Sequence, residues 1–189
     1  MNDLEFHPLT PERWDDFETL FGNRGSFSSC WCMWWRMSSA EWNTAGEDAR
    51  KQAMREIVES RRVPGILAYQ NDRVVGWCSV GPRADFYRIQ RSRTLVALDD
   101  LPTWSVNCFV VVKEARGKGM MADLLRAAVA YAVEQGAQRV EGYPHPDREG
   151  HQSPGNLYQG TISTFRQVGF EEVEAEVNGK PVRRFIYQP

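Results

Sequence analysis

Val110-Val111-Val112-Lys113-Glu114-Ala115-Arg116-Gly117-Lys118-Gly119-Met120 sets two glycines between the end of an apolar run and the start of an amphipathic segment. Upstream, Trp104–Val112 has the length and apolar character of a central strand buried on both faces. Downstream, Leu124, Ala128, Tyr131 and Ala132 recur at helical spacing within Met120–Gln135, and Gly136 supplies a stop. A helix that starts here offers unpaired backbone N–H groups and a partial positive charge, which together suit an anionic phosphate. A Cβ at Gly117 or Gly119 would hold that phosphate off the main-chain donors, while Arg116 and Lys118 can add charge-assisted contacts. Other phosphate loops fit worse. There is no Gly-x-x-x-x-Gly-Lys-(Ser/Thr), and Gly-x-Gly-x-x-Gly fails because Asp123 has neither a partner glycine nor the setting of a ribose-binding acid.

Working outward, Arg139–Tyr143 is the next strand, so strand, crossover helix and strand form one right-handed unit with parallel neighbours. Ahead of it, Ile66–Gln70 and Val74–Val80 flank Asn71-Asp72-Arg73 and read as an antiparallel hairpin. Glu5–Leu9 is a short first strand. Thr10 and Pro11 mark a helix start, with the helix running to about Phe21 and a loop over Gly22–Ser29. Ser38 and Glu41 have capping-box spacing, and the pattern predicts one long helix from there through Ala49, Ala53 and Ile57 to Ser60. Gly81–Thr103 is irregular with a short helix near Phe86–Gln90, and Asp99-Asp100 suits a turn before Pro102. Beyond the long loop Pro144–Gly160, Thr161–Val168 is a short helix stopped by Gly169. Phe170–Val177 and Val182–Tyr187 close the chain as a hairpin across Asn178-Gly179.

The glycine turn and its setting resemble the acetyl-CoA-binding motif of the Gcn5-related N-acetyltransferases, (Gln/Arg)-x-x-Gly-x-(Gly/Ala). Arg116 matches the first position and Gly119 the fourth; Met121 departs at the sixth, and Ala122 follows it directly. Phe165-Arg166-Gln167-Val168-Gly169-Phe170 is similar to the family's closing helix and Gly-Phe stop, so the likeness covers roughly residues 65–187. It implies an α/β fold: a mixed, mostly antiparallel sheet of about seven strands with a central parallel pair and helices on both faces, in one domain over residues 1–189. It also implies that Arg116, Gly117, Lys118, Gly119, Met120, Met121 and Ala122 hold the pyrophosphate of acetyl-CoA. Phe109, Val110 and Val111 would pair by backbone with its pantetheine arm, while their side chains stay in the core.

The implied reaction is acetyl transfer to the amine of a small acceptor by direct attack within a ternary complex. It needs an oxyanion donor, expected at a backbone N–H near Val110 or Val111, a base for the ammonium, and an acid for the thiolate. The family's usual tyrosine acid falls on Phe165, which has no proton to give. Tyr158 is the preferred substitute, with Ser163, Thr164 and water as others, and a packed ring with an exposed hydroxyl as its plain alternative. Asn107 stands where some relatives carry an acid. Glu141 and His145, at or beyond the end of the neighbouring parallel strand, are the base candidates, His145 having the better intrinsic pKa and a solvated loop histidine being its alternative.

Cys30-Trp31-Cys32-Met33-Trp34-Trp35-Arg36 is the oddest stretch. Its rings suit core packing or a homodimer face; alternatively Trp34, Trp35 and Arg36 select an acceptor with an apolar body and an anionic group. A metal is not expected, since His7, His145 and His151 are isolated and the cysteine spacing matches no four-coordinate site. With a formal net charge of -2 over 189 residues, nothing draws the chain to nucleic acid or to an anionic membrane. The absence of a basic, apolar leader points to the cytoplasm and to reduced cysteines, with Cys78 and Cys108 as small core hydrophobes. The acceptor stays open among antibiotic, polyamine, amino acid and protein N-terminus. A catalytically weak acyl-CoA-binding regulator, or an interaction module built on the aromatic segment, are the other readings.

Overall fold

The computed structural model describes residues 4–22, 29–147, 158–177 and 180–189. Seven strands form one sheet in the order β1-β2-β3-β4-β5-β7-β6. They are β1 (Leu4–Pro8), β2 (Gly65–Gln70), β3 (Arg73–Pro82), β4 (Thr103–Val111), β5 (Arg139–Gly142), β6 (Glu171–Val177) and β7 (Lys180–Tyr187). Every neighbouring pair is antiparallel except β4 and β5, which run parallel with Thr103 opposite Arg139 and Val106 opposite Gly142. This is the mixed sheet that the crossover unit required.

Helix α5 (Met120–Glu134) joins β4 to β5 and buries Leu124, Leu125, Ala128 and Ala132 against one face of the sheet. On the other face, Trp14, Phe17 and Phe21 of α1 (Trp14–Gly22) pack with Trp31, Trp77, Leu67 and Met54 in a second, aromatic-rich core. The two faces are set by the strand period: Phe109 and Val111 belong to the α5 side, Cys108 and Val110 to the other. Helix α6 (Ile162–Gln167) drops Phe165 into the first core, in edge contacts with Phe109, Phe170 and Phe185.

The capping box forms as expected: the Ser38 hydroxyl accepts from Glu41 N–H, and Ser38 N–H donates to the Glu41 carboxylate. The long helix predicted from it is two, α2 (Ser39–Thr44) and α3 (Glu47–Glu59). Ala45 is extended and Gly46 is the N-cap of α3, with Glu47 and Asp48 favouring a fresh helix start. Thr10 does not cap with its side chain; Pro11–Arg13 is a 3-10 turn that leads into α1. Asn71 and Asp72 both take positive φ, so the β2–β3 hairpin closes on a two-residue turn. The short helix expected near Phe86 is α4 (Tyr87–Gln90). Most of the predicted loop 22–29, most of its counterpart at 144–160 and the Asn178-Gly179 turn lie outside the described residues. Among the described residues, no helix is long and apolar enough to cross a membrane.

Candidate functional site

The site is a fork in the sheet. Strand β5 stops at Gly142 while β4 continues to Val111, so the parallel ladder ends after Val106 and the two strands part. A bulge lies at the same level: Ser79 pairs with Cys108 and Val80 with Val106, which leaves Asn107 opposite nothing. Asn107 is 1% exposed, and neither atom of its side-chain amide finds a partner among the described residues. A buried amide costs free energy until something bonds to it, which marks the fork as a place built to receive polar groups.

Beyond the fork, alternation decides which backbone groups face the gap. Val112 N–H donates to Val75 on β3, so Val110 also faces β3, and Phe109 and Val111 face the opening. Phe109 N–H donates to the Tyr158 carbonyl at 2.6 Å, and Arg116 Nε donates to the Val111 carbonyl at 2.9 Å. Val111 N–H has no acceptor among the described residues. Of the three strand residues expected to pair with an extended ligand, Phe109 and Val111 aim their main chain into the gap and Val110 aims away.

The turn after β4 is open. Lys113–Ala115 is a 3-10 turn, Arg116 is extended, and Gly117 and Gly119 take φ of 74° and 81°. Glycine is needed first for that left-handed backbone. A Cβ at either position would meet nothing within 4 Å, so the space in front of both is free for a ligand. Gly119 caps α5 with no side-chain bond. Ala122 and Asp123 N–H return to the Gly119 carbonyl, while the N–H groups from Gly117 to Met121 have no acceptor among the described residues. Met120 and Ala122 turn their side chains into the core, Met121 is half-buried, and Arg116 and Lys118 are exposed. Lys118 is exposed and bonds loosely to the Glu114 carbonyl at 3.3 Å. A helix start with uncapped donors is an anion site.

Phe165 is fully buried at the centre of the fork's inner wall. An ideal Cβ on Gly142 would lie 2.0 Å from its Cε1, and one on Gly160 2.9 Å from its Cε2. The ring is clamped between two glycines, one on β5 and one on the loop before α6. Tyr158, in that loop, is half-buried, with its ring 6.0 Å from that of His145. Burial, then the nearby Cys108 and Cys30, push its phenol above the usual tyrosine range, so it stays protonated at neutral pH. His145 is fixed by its backbone, its N–H donating to Gly160 and its carbonyl accepting from Ile162, and its Nε2 is buried without a partner among the described residues. Tyr158 and His145 are thus brought together.

Glu141 stands apart. It is 1% exposed and bonded to Arg83 Nε at 2.7 Å, the Tyr143 hydroxyl at 2.5 Å, Ser105 at 3.3 Å and Arg184 Nη1 at 3.4 Å. Arg184, fully buried, also reaches the Val96 and Thr94 carbonyls, so this carboxylate anchors the irregular segment before β4 to the sheet. Oε1 takes three of these donors and Oε2 faces the Arg184 guanidinium, which suits a fixed counter-ion. Burial and the Glu141 charge push the Tyr143 phenol up. Asp99 makes the turn foreseen for it, accepting from Leu101 N–H, and pairs bidentately with Arg139.

The aromatic segment divides. Trp34 is 37% exposed and lies under the Arg88 guanidinium. Arg36 is buried over Phe86, bonded to the Pro64 carbonyl and paired with Asp85, so its charge is satisfied within the fold. Trp35 has its ring 6.2 Å from that of Tyr143, and its Nε1 has no partner among the described residues. Reading the sequence overlooked the buried, unpartnered amide of Asn107 and the Tyr143 hydroxyl beside Glu141; the signal for Asn107 was a polar residue inside an otherwise apolar strand. Among the described residues, no group of three His, Cys, Asp or Glu is arranged to hold a metal ion.

The family model for the acetyltransferase (GNAT) family matches residues 27–151. No curated protein matches the chain. Among solved structures, aminoglycoside acetyltransferase AAC(6')-Ib in complex with ribostamycin and coenzyme A aligns at 16% identity with a TM-score of 0.57, over 99% of this chain and 94% of that one. Aminoglycoside N-acetyltransferase AAC(6')-Iy in complex with CoA aligns at 16% identity with a TM-score of 0.55, over 94% and 93%. A GCN5-related N-acetyltransferase from Kribbella flavida aligns at 16% identity and a TM-score of 0.51, over 90% of this chain; the chain spans 33% of that protein's length. At such identities the likeness speaks to the fold alone.

Proposed function

The chain belongs to the acetyltransferase (GNAT) family, and from that premise we propose that it is an acetyl-CoA-dependent N-acetyltransferase acting on a small amine, with residues 1–189 working as one domain. The observation that carries this reading is the uncapped turn Gly117–Met121, with open space before both of its glycines, at the end of a strand whose outer edge is exposed by the fork. A diphosphate fits the turn's main-chain donors. The amides of a pantetheine arm fit the Phe109 and Val111 edge, where the Tyr158 carbonyl now bonds Phe109.

The thioester supplies an already activated acetyl group, so no covalent enzyme intermediate is required. Holding it beside the amine provides much of the acceleration. Val111 N–H, unpaired and facing the gap, is the candidate donor to the charge that develops on the thioester oxygen. Tyr158, kept protonated by burial and by neighbouring thiols, donates to the leaving sulfur. His145, with Nε2 unpartnered beside Tyr158, takes the ammonium proton directly or through water. Asn107 and Trp35 offer hydrogen-bonding atoms to the acceptor at the fork. Two relatives of the same fold are named as aminoglycoside acetyltransferases, and a polyamine or amino sugar is the class to assay first.

A catalytically weak acyl-CoA binder is the second reading, favoured by Phe165 in the core and by the occupied oxygens of Glu141. Calorimetry with acetyl-CoA, followed by release of CoA thiol with an amine panel, separates the two. Binding with amine-dependent thiol release supports transfer; binding without release supports the binder; no heat with any CoA thioester removes both.

A further inference from the structure

Past its last pair the parallel ladder gives way to a third segment of chain. Val106 stands opposite Gly142, and the same register carried three residues further would set Phe109 opposite His145. These two residues are joined through residues 158–162 instead. Phe109 N–H donates to the Tyr158 carbonyl at 2.6 Å. On the other arm, the main-chain N–H of His145 donates to the Gly160 carbonyl at 2.9 Å, and its carbonyl accepts from Ile162 N–H at 3.1 Å. His145 and Thr161 make an isolated parallel bridge. The segment therefore stands in the fork and bonds both arms. A Cβ on Gly160 would lie 3.3 Å from Phe109 Cε2 and 3.5 Å from Met121 Sδ, which puts it beside the first turn of α5 as well.

The two ends of this segment are held unequally. After Gly160 the chain is locked. Thr161 caps α6, its hydroxyl accepting from Thr164 N–H, and Ser163 N–H donates to the Asp147 carboxylate at 3.0 Å. Before Gly160, among the described residues, Tyr158 is tied to β4 by a single main-chain hydrogen bond. Gly160 takes a φ of 80°, a conformation that glycine enters and leaves without the cost a side chain would add. A firm anchor on one side, one bond on the other and a glycine between them make a hinge.

The group that holds Phe109 N–H is a peptide carbonyl. An extended ligand that pairs with this strand edge must offer an acceptor of the same kind, so ligand and Tyr158 compete for one donor.

We propose that the Tyr158 peptide is a built-in stand-in for an amide of the pantetheine arm, and that acetyl-CoA displaces it by a swing about Gly160. This rests on acetyl-CoA being the ligand of the fork, as proposed above. The swing opens the strand edge at Phe109 while the bonds between His145 and residues 160–162 stay in place. The Tyr158 phenol rides on the moving peptide, so its working position is set when the cofactor arrives and not before.

The test uses NMR of the isotope-labelled, deuterated full chain with acetyl-CoA as the probe. Scalar couplings across hydrogen bonds identify each pair directly: Phe109 nitrogen with the Tyr158 carbonyl carbon, His145 nitrogen with that of Gly160, and Ile162 nitrogen with that of His145. The free protein should show all three. The saturated complex should lose the first and keep the other two, with Phe109 N–H still protected because a ligand carbonyl has replaced Tyr158. Retention of the first coupling in the saturated complex overturns the displacement. Loss of all three overturns the hinge at Gly160. Tyr158 ring signals that do not change on saturation overturn the link to the phenol. Calorimetry on the same sample separates the two levels: no binding of acetyl-CoA removes the proposed function and the displacement with it, whereas binding with the first coupling intact removes the displacement alone.

Discussion

The amide nitrogen of Phe109 donates to the carbonyl oxygen of Tyr158 at 2.6 Å. The loop before α6 therefore bonds the strand edge that an extended ligand would need, while the neighbouring donor, Val111 N–H, has no acceptor among the described residues.

Acetyl-CoA should protect Val111 from amide exchange by about tenfold or more, because an unpaired amide gains a partner, whereas Phe109 changes little because one acceptor replaces another. Hydrogen exchange read by NMR resolves the two residues. Unaltered exchange at Val111 in the saturated complex would remove it as a ligand-facing donor.

Gly119→Ala separates fold from binding. Nothing among the described residues meets the new Cβ, so the fold loses only the left-handed strain of about 1–2 kcal/mol. A methyl group in the space before the uncapped amides should weaken acetyl-CoA binding by about tenfold or more. Urea unfolding and calorimetry on one preparation measure both, and unchanged affinity would take the diphosphate away from this turn.

Tyr158→Phe should lower kcat by about a hundredfold with the KM for acetyl-CoA nearly unchanged. The phenol's raised pKa keeps it a donor beyond the ordinary tyrosine range, so the wild-type rate should hold through mildly alkaline pH and fall only above it. A profile of the same shape in both proteins would hand the acid role to water.

Glu141→Gln should destabilise the fold by about 3–5 kcal/mol, since it leaves Arg83 and buried Arg184 without their anion. Relative to the wild type, the pH dependence of transfer near neutrality should keep its midpoint. A midpoint that moves with this substitution would make Glu141 the base and not a fixed counter-ion.

Alkaline pH should unfold the protein. Tyr69 and Tyr143 have phenol pKa values raised in the fold, mainly by burial and then by Asp16 and Glu141 respectively. A group raised in the native state lends stability fully below its unfolded value, about 10 for tyrosine, and loses it as pH climbs toward the native value. Melting temperature should be level to about pH 9 and fall beyond it, with tyrosinate absorbance appearing together with unfolding. Tyrosinate appearing in a still folded protein would contradict the assigned environments.

The β4–turn–α5 unit was legible because each part is a local signal: an apolar strand, glycines at left-handed positions and a helical stripe. The β2–β3 hairpin and the Ser38–Glu41 box were readable for the same reason. The break at Ala45-Gly46 was not, since the polar faces of α2 and α3 keep one helical period across it and Gly46 marks a second start only once Ala45 is seen extended. Contacts across long stretches of sequence escaped altogether. Arg36 looked free to bind a ligand until Asp85 and Phe86 closed on it. Asn107 became an orphaned amide only through the bulge between β3 and β4.

The ring of Phe165, gripped between Gly142 and Gly160, works as a shim. It sets the distance between the end of β5 and the loop that bears Tyr158, so bulk added at residue 142 would push the ring toward Gly160 and carry the error to a phenol it never touches. Restoring a tyrosine at 165 meets the same obstacle, because its hydroxyl would have to enter the side where Cζ already crowds Gly142. Sheet spacing and the placement of the Tyr158 loop are thereby coupled through one ring, and neither shifts without the other.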